Sequence, residues 1–517
     1  MGINVSKSVA LLALLFLMGS CFVMPLSVKG SRTLVVPDDY STIEAAIENA
    51  VNGDTVFVKA GVYEENPLEI NKTLSLIGEG ADSTKISFNP PYTKITVSIC
   101  EHYTVYVDPI RVFADNFQMS GFTAVTTGGF MIVNGNGTKL TRNQILIDLS
   151  VRGSYLYLAK NTFSDVGFYG SHSNIVENSL LGSIVASGFY LNISGNSKAS
   201  SNKFFTMDSG ITVRGSSCIV SKNIITADRL YTAIFVNGNS NIVAKNRITR
   251  SETGISASGS GNMIYGNKIT DCLFYRRSSS TGLALSVSGN NTVYANHIEN
   301  NAYGANVNER PENNLTSTFY HNNFIGNIYQ VSVDSYFSYG NDSFDNGVEG
   351  NYWRDHFNKD TNGDGIIDTP YVIDANRSDR YPLTAPFNIS SVTVELPEWA
   401  SLPAVLIISP ENTSYTSANI TLKFTVNKTA SWIGYSLDGK ENVTIKGNTT
   451  LSELPDGLHN ITMYARDTFE NTGGSETISF TIDVPEPFPT TLVTVASATT
   501  IIVVSGGLII YFKKRRK

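Results

Sequence analysis

The sequence predicts an all-β chain: a right-handed, single-stranded parallel β-helix with an N-terminal helix cap, then a small Ig-like β-sandwich and one transmembrane helix. Three observations predict it. A short phrase, Asn-x-(Ile/Leu/Phe), keeps returning; apolar residues around it alternate at period two; and an apolar stretch with a basic end closes the 517 residues. The phrase stands at Asn143, Asn161, Asn178, Asn202, Asn223, Asn246, Asn267, Asn296 and Asn323. Its spacing of roughly 17 to 29 residues is the period of stacked solenoid coils. Alternation at period two marks short strands with one face inward, and the Gly, Ser and Asn between them mark turns.

Helices have little support here, because β-branched residues, Asn, Ser and Gly dominate. A β-sandwich would also supply short strands, but it gives no reason for one Asn to recur in phase with one Ile. In a parallel coil the same position of successive turns lies directly above itself, about 4.8 Å away. Stacked Asn amides then bond along the axis while the Ile/Leu/Phe file fills the interior. A second polar position about five residues upstream, as at Asn241, Asn262 and Asn291, repeats in the same phase. These Asn are read as structural.

Composition bounds the function. Charged residues are 16% of the chain and the net charge is −7. Seven cations lie in the leader and the C-terminal tail; without them the body is more acidic still, which disfavours nucleic acid and suits cations, neutral sugars or basic partners. Residues 1–30 read as a signal peptide, with Lys7 before the apolar run Val9–Val23 and small residues beyond it. Of the cysteines, Cys100, Cys218 and Cys272 lie outside that leader, too scattered for a disulfide framework or a metal motif.

The β-helix is expected over residues 31–389. In its opening, Ser41 is placed as the cap of a short helix carrying Ile43, Ala46, Ile47 and Ala50 on one face, with Glu44 as capping-box partner. A solenoid exposes apolar coil ends unless something covers them, so this helix reads as the N-terminal cap. Residues Pro90 to Asp108 read as an inserted loop. The motifs Thr42–Ile47, Gly53–Val56, Gly61–Tyr63 and Leu76–Gly80 resemble the opening of right-handed parallel β-helix proteins of the pectin-lyase-like superfamily.

A closing region follows at 350–382. Gly350–Asp355 precedes Asp360-Thr-Asn-Gly-Asp-Gly-Ile-Ile-Asp368, then Thr369–Asp374 and Asp379–Pro382. Oxygen donors at alternate positions of a Gly-containing loop suit a structural Ca²⁺, with side-chain oxygens from Asp360, Asn362, Asp364 and Asp368 and the carbonyl of Ile366. Tyr371 stands where an EF-hand needs a bidentate Glu, so the loop is EF-like at most. This region resembles the C-terminal part of archaeal β-helix proteins of the NosD type, and the resemblance spans roughly Thr33 to Pro382. That type implies a copper role. No copper site is evident, because His102, His172, His297, His321, His356 and His459 are scattered and no Cys-x-x-Cys or His-x-His occurs.

Beyond a junction at 390–403, alternating runs and Asp-Gly turns over 404–484 predict the sandwich, which resembles Ig-like or fibronectin-like modules of archaeal surface proteins. A Pro-rich linker at 485–491 leads to the apolar span 492–512 and the basic cytoplasmic tail 513–517. Sequons, dense from Asn388 to Asn460, suit a glycosylated cell surface.

On the coil flank, Asp165, Asp228 and Asp271 fall four or five residues after their phrase Asn, and Tyr169, Tyr231 and Tyr275 fall eight after theirs. In register these form an acidic file, the candidate catalytic residues, beside an aromatic file, the candidate sugar-binding residues. The reading is therefore a single-pass, type I membrane protein whose ectodomain binds an extracellular glycan or a surface protein without catalysis. The alternative is a carbohydrate-active hydrolase, lyase or epimerase using the acidic file. A copper-delivery factor comes third.

Overall fold

An Asn that recurs in phase with an inward Ile is satisfied only if successive copies lie above one another, and a computed structural model of the chain has that stacking. It describes residues 32–88, 93–97, 101–105, 108–125, 129–198, 209–273, 282–307, 315–333, 342–394, 401–440, 442–468 and 472–484, with 504–505, 508–511 and 513–514 near the C-terminus. The chain divides into two compact units, Met1–Ser401 and Leu402–Lys517.

In the first unit each coil contributes up to three short strands. One face is a 13-stranded sheet from Thr33–Val36 to Thr318–Tyr320, paired in parallel throughout. Its register is that of a pile: Leu140 lies on Leu158, Leu158 on Ile175, Ile175 on Ile193, and Val220 on Val243. A second file runs through Ile145, Phe163 and Leu180, resumes at Ile225, Ile248 and Ile269, and ends at Phe324 and Trp353. The third face carries files such as Leu149, Val166, Ile184 and Ile211. These files are almost wholly buried and make one continuous core. The fold is thus a parallel β-helix.

The Asn ladder turns the corner between the first two faces. At each rung a backbone N–H and the Nδ2 amide donate to the Oδ1 of the Asn one coil on, while Nδ2 also donates to a carbonyl one coil back. Asn246, for example, donates to Asn267 Oδ1 from N (3.0 Å) and Nδ2 (2.9 Å) and to the Val220 carbonyl (2.8 Å). The rungs are Asn143, Asn161, Asn178, Asn196, Asn223, Asn246, Asn267, Asn296, Asn322 and Asn351. Three differ from expectation, one being Asn351, where Trp353 stands in place of the Ile, Leu or Phe of the phrase. Asn202 lies outside the described residues, and Asn196 makes the fourth rung. Asn322 rather than Asn323 is the ninth, because Phe324 is the inward residue that pairs with Ile298, which shifts the phrase by one.

The last rung ends on a carboxylate. Asp379 Oδ2 accepts from Asn351 N (2.6 Å) and Trp353 Nε1 (2.8 Å), and Oδ1 accepts from Tyr381 N (3.0 Å). A second ladder through Asn241, Asn262, Asn291 and Ser317 ends likewise on buried Asp342. The N–H groups of both ladders point toward the C-terminal end, and Asp379 meets those of the first and the Tyr381 N–H with two accepting oxygens where an amide has one.

The opposite end carries the helix Ile43–Asn49, which buries Ile43, Ala46 and Ile47. Its cap is Thr42, not Ser41: Thr42 Oγ1 accepts from Ala45 N (3.1 Å). Glu44 is not the capping partner. The buried Glu65 carboxylate, from a neighbouring strand, accepts from Ile43 N (2.7 Å) and Glu44 N (3.1 Å). Within Pro90 to Asp108, Thr93–Val97 and Glu101–Val105 pair as an antiparallel ribbon. After the last coil the chain turns back along the outside of the first face. Phe387 stacks on His321 at 4.2 Å, Lys245 donates to the Ile389 carbonyl (2.9 Å), and Val392 and Val394 cover Ile219, Ile242, Ala244 and Tyr265.

The second unit has two sheets around one core. Val405–Ser409, Ile420–Val426 and Thr449–Leu451 form one; Ser414–Tyr415, Ile478–Ile482, Gly457–Asp467, Ala430–Leu437 and Val443–Ile445 form the other. Leu422, Ile461, Met463, Ala465 and Phe480 fill the space between them. The expected signal peptide and linker lie outside the described residues, as does most of 492–512. No described helix is long and apolar enough to cross a membrane.

Candidate functional site

The corner between the third and first faces repeats a left-handed residue. Gly137, Tyr155, His172, Tyr190, Ser217, Ser240 and Gly261 succeed one another there, each with φ between 53° and 71°. Each donates its backbone N–H to the coil above, as Tyr155 does to the Ser171 carbonyl and His172 to the Phe189 carbonyl. Glycine adopts this conformation without a steric penalty, whereas an L side chain costs roughly 1–2 kcal/mol. Three consecutive coils nonetheless place rings here. Tyr155 and His172 stack with centroids 5.3 Å apart, and His172 and Tyr190 with centroids 4.8 Å apart.

This short column of rings faces solvent: Tyr155 and Tyr190 are 39% and 38% exposed, and the adjoining Phe189 is 55% exposed. Burial between the two tyrosines lowers the affinity of His172 for a proton, so the middle ring is neutral near pH 7. Tyr169, three residues before His172, is half exposed, and the Arg152 guanidinium lies 5.8 Å from its ring centroid. Ser187 and Arg214 continue the Arg152–Tyr169 file. The result is an aromatic platform flanked by arginine on the flank of the solenoid.

Of the three aromatic residues expected on the flank, Tyr169 adjoins this platform. Tyr231 lies in the long strand Ile224–Asn237, and Tyr275 lies outside the described residues. Tyr155, His172, Phe189 and Tyr190 were not anticipated. Their signal was present as Gly153-Ser-Tyr155, Gly170-Ser-His172 and Gly188-Phe-Tyr190, a glycine two residues ahead of a ring in three successive coils.

The carboxylates are spread along the axis. Asp165 Oδ1 accepts from Ser183 N (2.6 Å) and Ser183 Oγ (2.9 Å). Asp228 sits three coils on, where the pairing of Thr226 with Thr249 and of Leu230 with Ser251 leaves extra residues bulging. Asp271 is two coils further, at φ 59°. At about 4.8 Å per coil these steps are about 14 and 10 Å. A glycosidase pair stands about 5 to 9.5 Å apart. The carboxylates with raised pKa lie elsewhere: burial pushes Asp379 up to about 6 and raises Asp342 and Glu65, and all three accept backbone N–H groups at coil ends.

In the loop after the last coil, Asp360 accepts from Gly363 N (2.7 Å) and Gly365 N (3.0 Å), and Asn362 Oδ1 accepts from Asp364 N. Asp364 accepts from Ile366 N, and Asp368 from Thr361 N and Oγ1. Each of these four side chains thus accepts from donors of the loop itself. Among the described residues no three His, Cys, Asp or Glu gather as a metal-holding group.

Histidines and thiols are dispersed. His297 pairs with Glu299 (3.0 Å), His321 with Glu349 under the Phe387 ring, and His356 with the Thr369 carbonyl (2.9 Å). Cys218 and Cys272 are buried and free, and burial pushes both thiols up to about 11.

The chain is similar to several known proteins over part of its length. The family model described as "Periplasmic copper-binding protein (NosD)" matches residues 123–357, within the stacked coils. A 109-residue stretch is 33% identical to Halomucin of Haloquadratum walsbyi, covering 20% of this chain and 1% of that protein. The chain therefore spans only about a hundredth of the length of that relative. Among solved structures, the Azotobacter vinelandii mannuronan C-5 epimerase AlgE6 A-module is 16% identical, covers 59% of this chain and 95% of its own, and has a TM-score of 0.36. The AlgE4 A-module of the same organism is 15% identical over 57% of this chain and 94% of its own, at 0.37. A mutant of the PL6-family alginate lyase AlyGC is 13% identical over 74% and 61%, at 0.33. The stretch that matches the NosD model lies within the parallel β-helix.

Proposed function

We propose that the chain is a non-catalytic, glycan-binding β-helix held at the cell surface, with the two-sheet unit as an Ig-like stalk and residues 492–512 as its membrane anchor. One observation carries the binding role: Tyr155, His172 and Tyr190 bring three rings into file on consecutive coils, with both tyrosines open to solvent. Exposed rings in file offer flat apolar faces to pyranose C–H groups. Catalysis has less support, because the flank carboxylates lie coils apart and the perturbed ones serve the coil ends.

Copper does not fit the donors present. The thiols are buried and protonated, and the described histidines are dispersed among partners of their own. A calcium role for the 360–368 loop places the cation on the lone pairs that the loop's own donors leave on Asp360, Asn362, Asp364 and Asp368. A melting transition that rises with millimolar Ca²⁺ assigns the ion; an unchanged one assigns a self-capped turn.

The test of the main reading is a glycan array with the full chain beside a variant carrying Tyr155→Ser, His172→Ser and Tyr190→Ser, the residue type already found at Ser217 and Ser240 of the same column. Loss of the bound glycans in the variant, with no shortening of any polysaccharide by the native protein, is expected. Equal binding by the variant, or shortened product, overturns the proposal.

A further inference from the structure

At the far end of the solenoid a second feature stands apart from the platform. Tyr352–Trp353 is the last strand of its file, and alternation turns Trp353 inward, stacked between Phe324 (4.4 Å) and Tyr371 (4.2 Å). Tyr352 and Arg354 point outward. With His356, Phe357, Asn358, Ile367 and Thr384 they line a cavity of about 270 Å³. That is close to the lower end of small-ligand pockets, about 300 Å³, and suits one sugar ring rather than a chain.

The walls are fixed by bonds the ligand does not need. His356 Nε2 donates to the Thr369 carbonyl (2.9 Å), and Asn358 Nδ2 donates to Thr369 Oγ1 (2.7 Å). Thr384 N donates to the Gly365 carbonyl (3.0 Å), and Ile367 N donates to the Pro382 carbonyl (2.8 Å). Because the Thr369 carbonyl only accepts, Nε2 of His356 carries a hydrogen.

Two groups in this frame have no structural task. The side chain of Phe357 is 83% exposed, beside a pocket whose other walls, Ile367 apart, carry polar groups. The Arg354 guanidinium makes no hydrogen bond or ion pair with a described residue, although Asp355 is its chain neighbour and bonds instead to Tyr371 Oη (3.2 Å). Its neighbours in the closing region are committed: Arg380 to Asp345, and Arg377 to Asp342 and Asp374. An open cationic fork beside an exposed ring, with hydroxyl and amide groups around them, matches a ligand that joins a carboxylate to a hydroxylated ring.

We propose that this cavity binds a sugar acid, the carboxylate on Arg354, the ring face on Phe357 and ring hydroxyls against Tyr352, Asn358 and Thr384. The chemistry is the same for a free uronic acid and for the terminal residue of an acidic polysaccharide. The site shares no residue with the Tyr155–His172–Tyr190 platform, so each stands or falls alone.

Calorimetric titration of the full chain with D-glucuronate and with D-glucose tests it. Glucuronate is expected to bind and glucose to bind at least about tenfold more weakly, the range of one charge-assisted pair. Arg354→Gln and Phe357→Ser, both exposed and neither in the core, are each expected to weaken glucuronate about tenfold or more without moving the melting temperature. The triple-Ser platform variant is expected to keep glucuronate binding. An oligoglucuronide that binds tighter than the monomer identifies the polymer end as the ligand, and equal affinities identify the free acid. Equal binding of glucose and glucuronate, or native affinity in Arg354→Gln, overturns the proposal.

Discussion

Asn246→Ala removes one rung from the middle of the axial ladder. Asn246 is 1% exposed, and its Oδ1 accepts from Asn223 N (3.0 Å) and Asn223 Nδ2 (2.9 Å) while its Nδ2 serves Val220 O and Asn267 Oδ1. Alanine leaves the backbone N–H and one amide hydrogen of Asn223 without an acceptor, and removes a donor from the Val220 carbonyl. Each orphaned buried group costs about 1–3 kcal/mol, so the change should destabilise the solenoid by about 4 kcal/mol. Solenoid stability is a sum of nearest-neighbour terms, so the loss should show first between the coils of Asn223 and Asn267. Urea unfolding followed by circular dichroism, with hydrogen exchange read by mass spectrometry, gives both quantities. Exposed Asn290→Ala is the control, expected within about 0.5 kcal/mol of native. A loss below about 1 kcal/mol for Asn246→Ala, or faster exchange spread evenly over all coils, would refute the ladder as the axial tie.

Two further outcomes follow from buried titrating groups. Burial pushes Asp379 up to about 6, above its unfolded value near 3.9, so the native state holds the proton more tightly. Stability is then highest below about pH 4 for this group and falls as pH rises to about 6, by about 3 kcal/mol in all. Melting curves across that window should show the fall, and Asp379→Asn should flatten it. In the second unit burial works against protonation of His459, but the Pro455 carbonyl and the Asp438 carboxylate outweigh it and raise its pKa. Its contribution is complete below about pH 6.5 and lost as pH rises through the folded value; native protein should melt lower at pH 8 than at pH 6, and His459→Gln should narrow the difference.

Much of the first unit was legible because one physical constraint repeats: a buried amide needs partners at both ends, and only stacking supplies them at every coil. Asn196 escaped because Lys198 stands where the phrase calls for Ile, Leu or Phe. Asn322 and Asn323 were confused because both fit the letters and only the inward turn of Phe324 separates them. Thr42 was missed as the cap because the Glu65 carboxylate that completes it comes from another strand, and local spacing carries no trace of it. The return of the chain over the first face is a contact between Lys245 and Ile389, too distant in sequence for any period to announce. The ring column was missed for a different reason: its mark in the sequence is a glycine two residues ahead of Tyr155, His172 and Tyr190, a spacing that the Asn phrase does not follow.

The ladder has a direction. Along the file each interior rung accepts at Oδ1 from the Asn one coil back and donates to the Oδ1 one coil on, so interior turns are alike in their bonding, whereas the Glu65-capped start and the carboxylate-sealed finish have no counterpart inside the pile. Such a molecule can be lengthened or shortened in evolution by copying or deleting whole turns in the middle, with the terminal seals left untouched. Two finished molecules, by contrast, cannot fuse end to end into a fibre: the finish presents an anion that has already taken its donors.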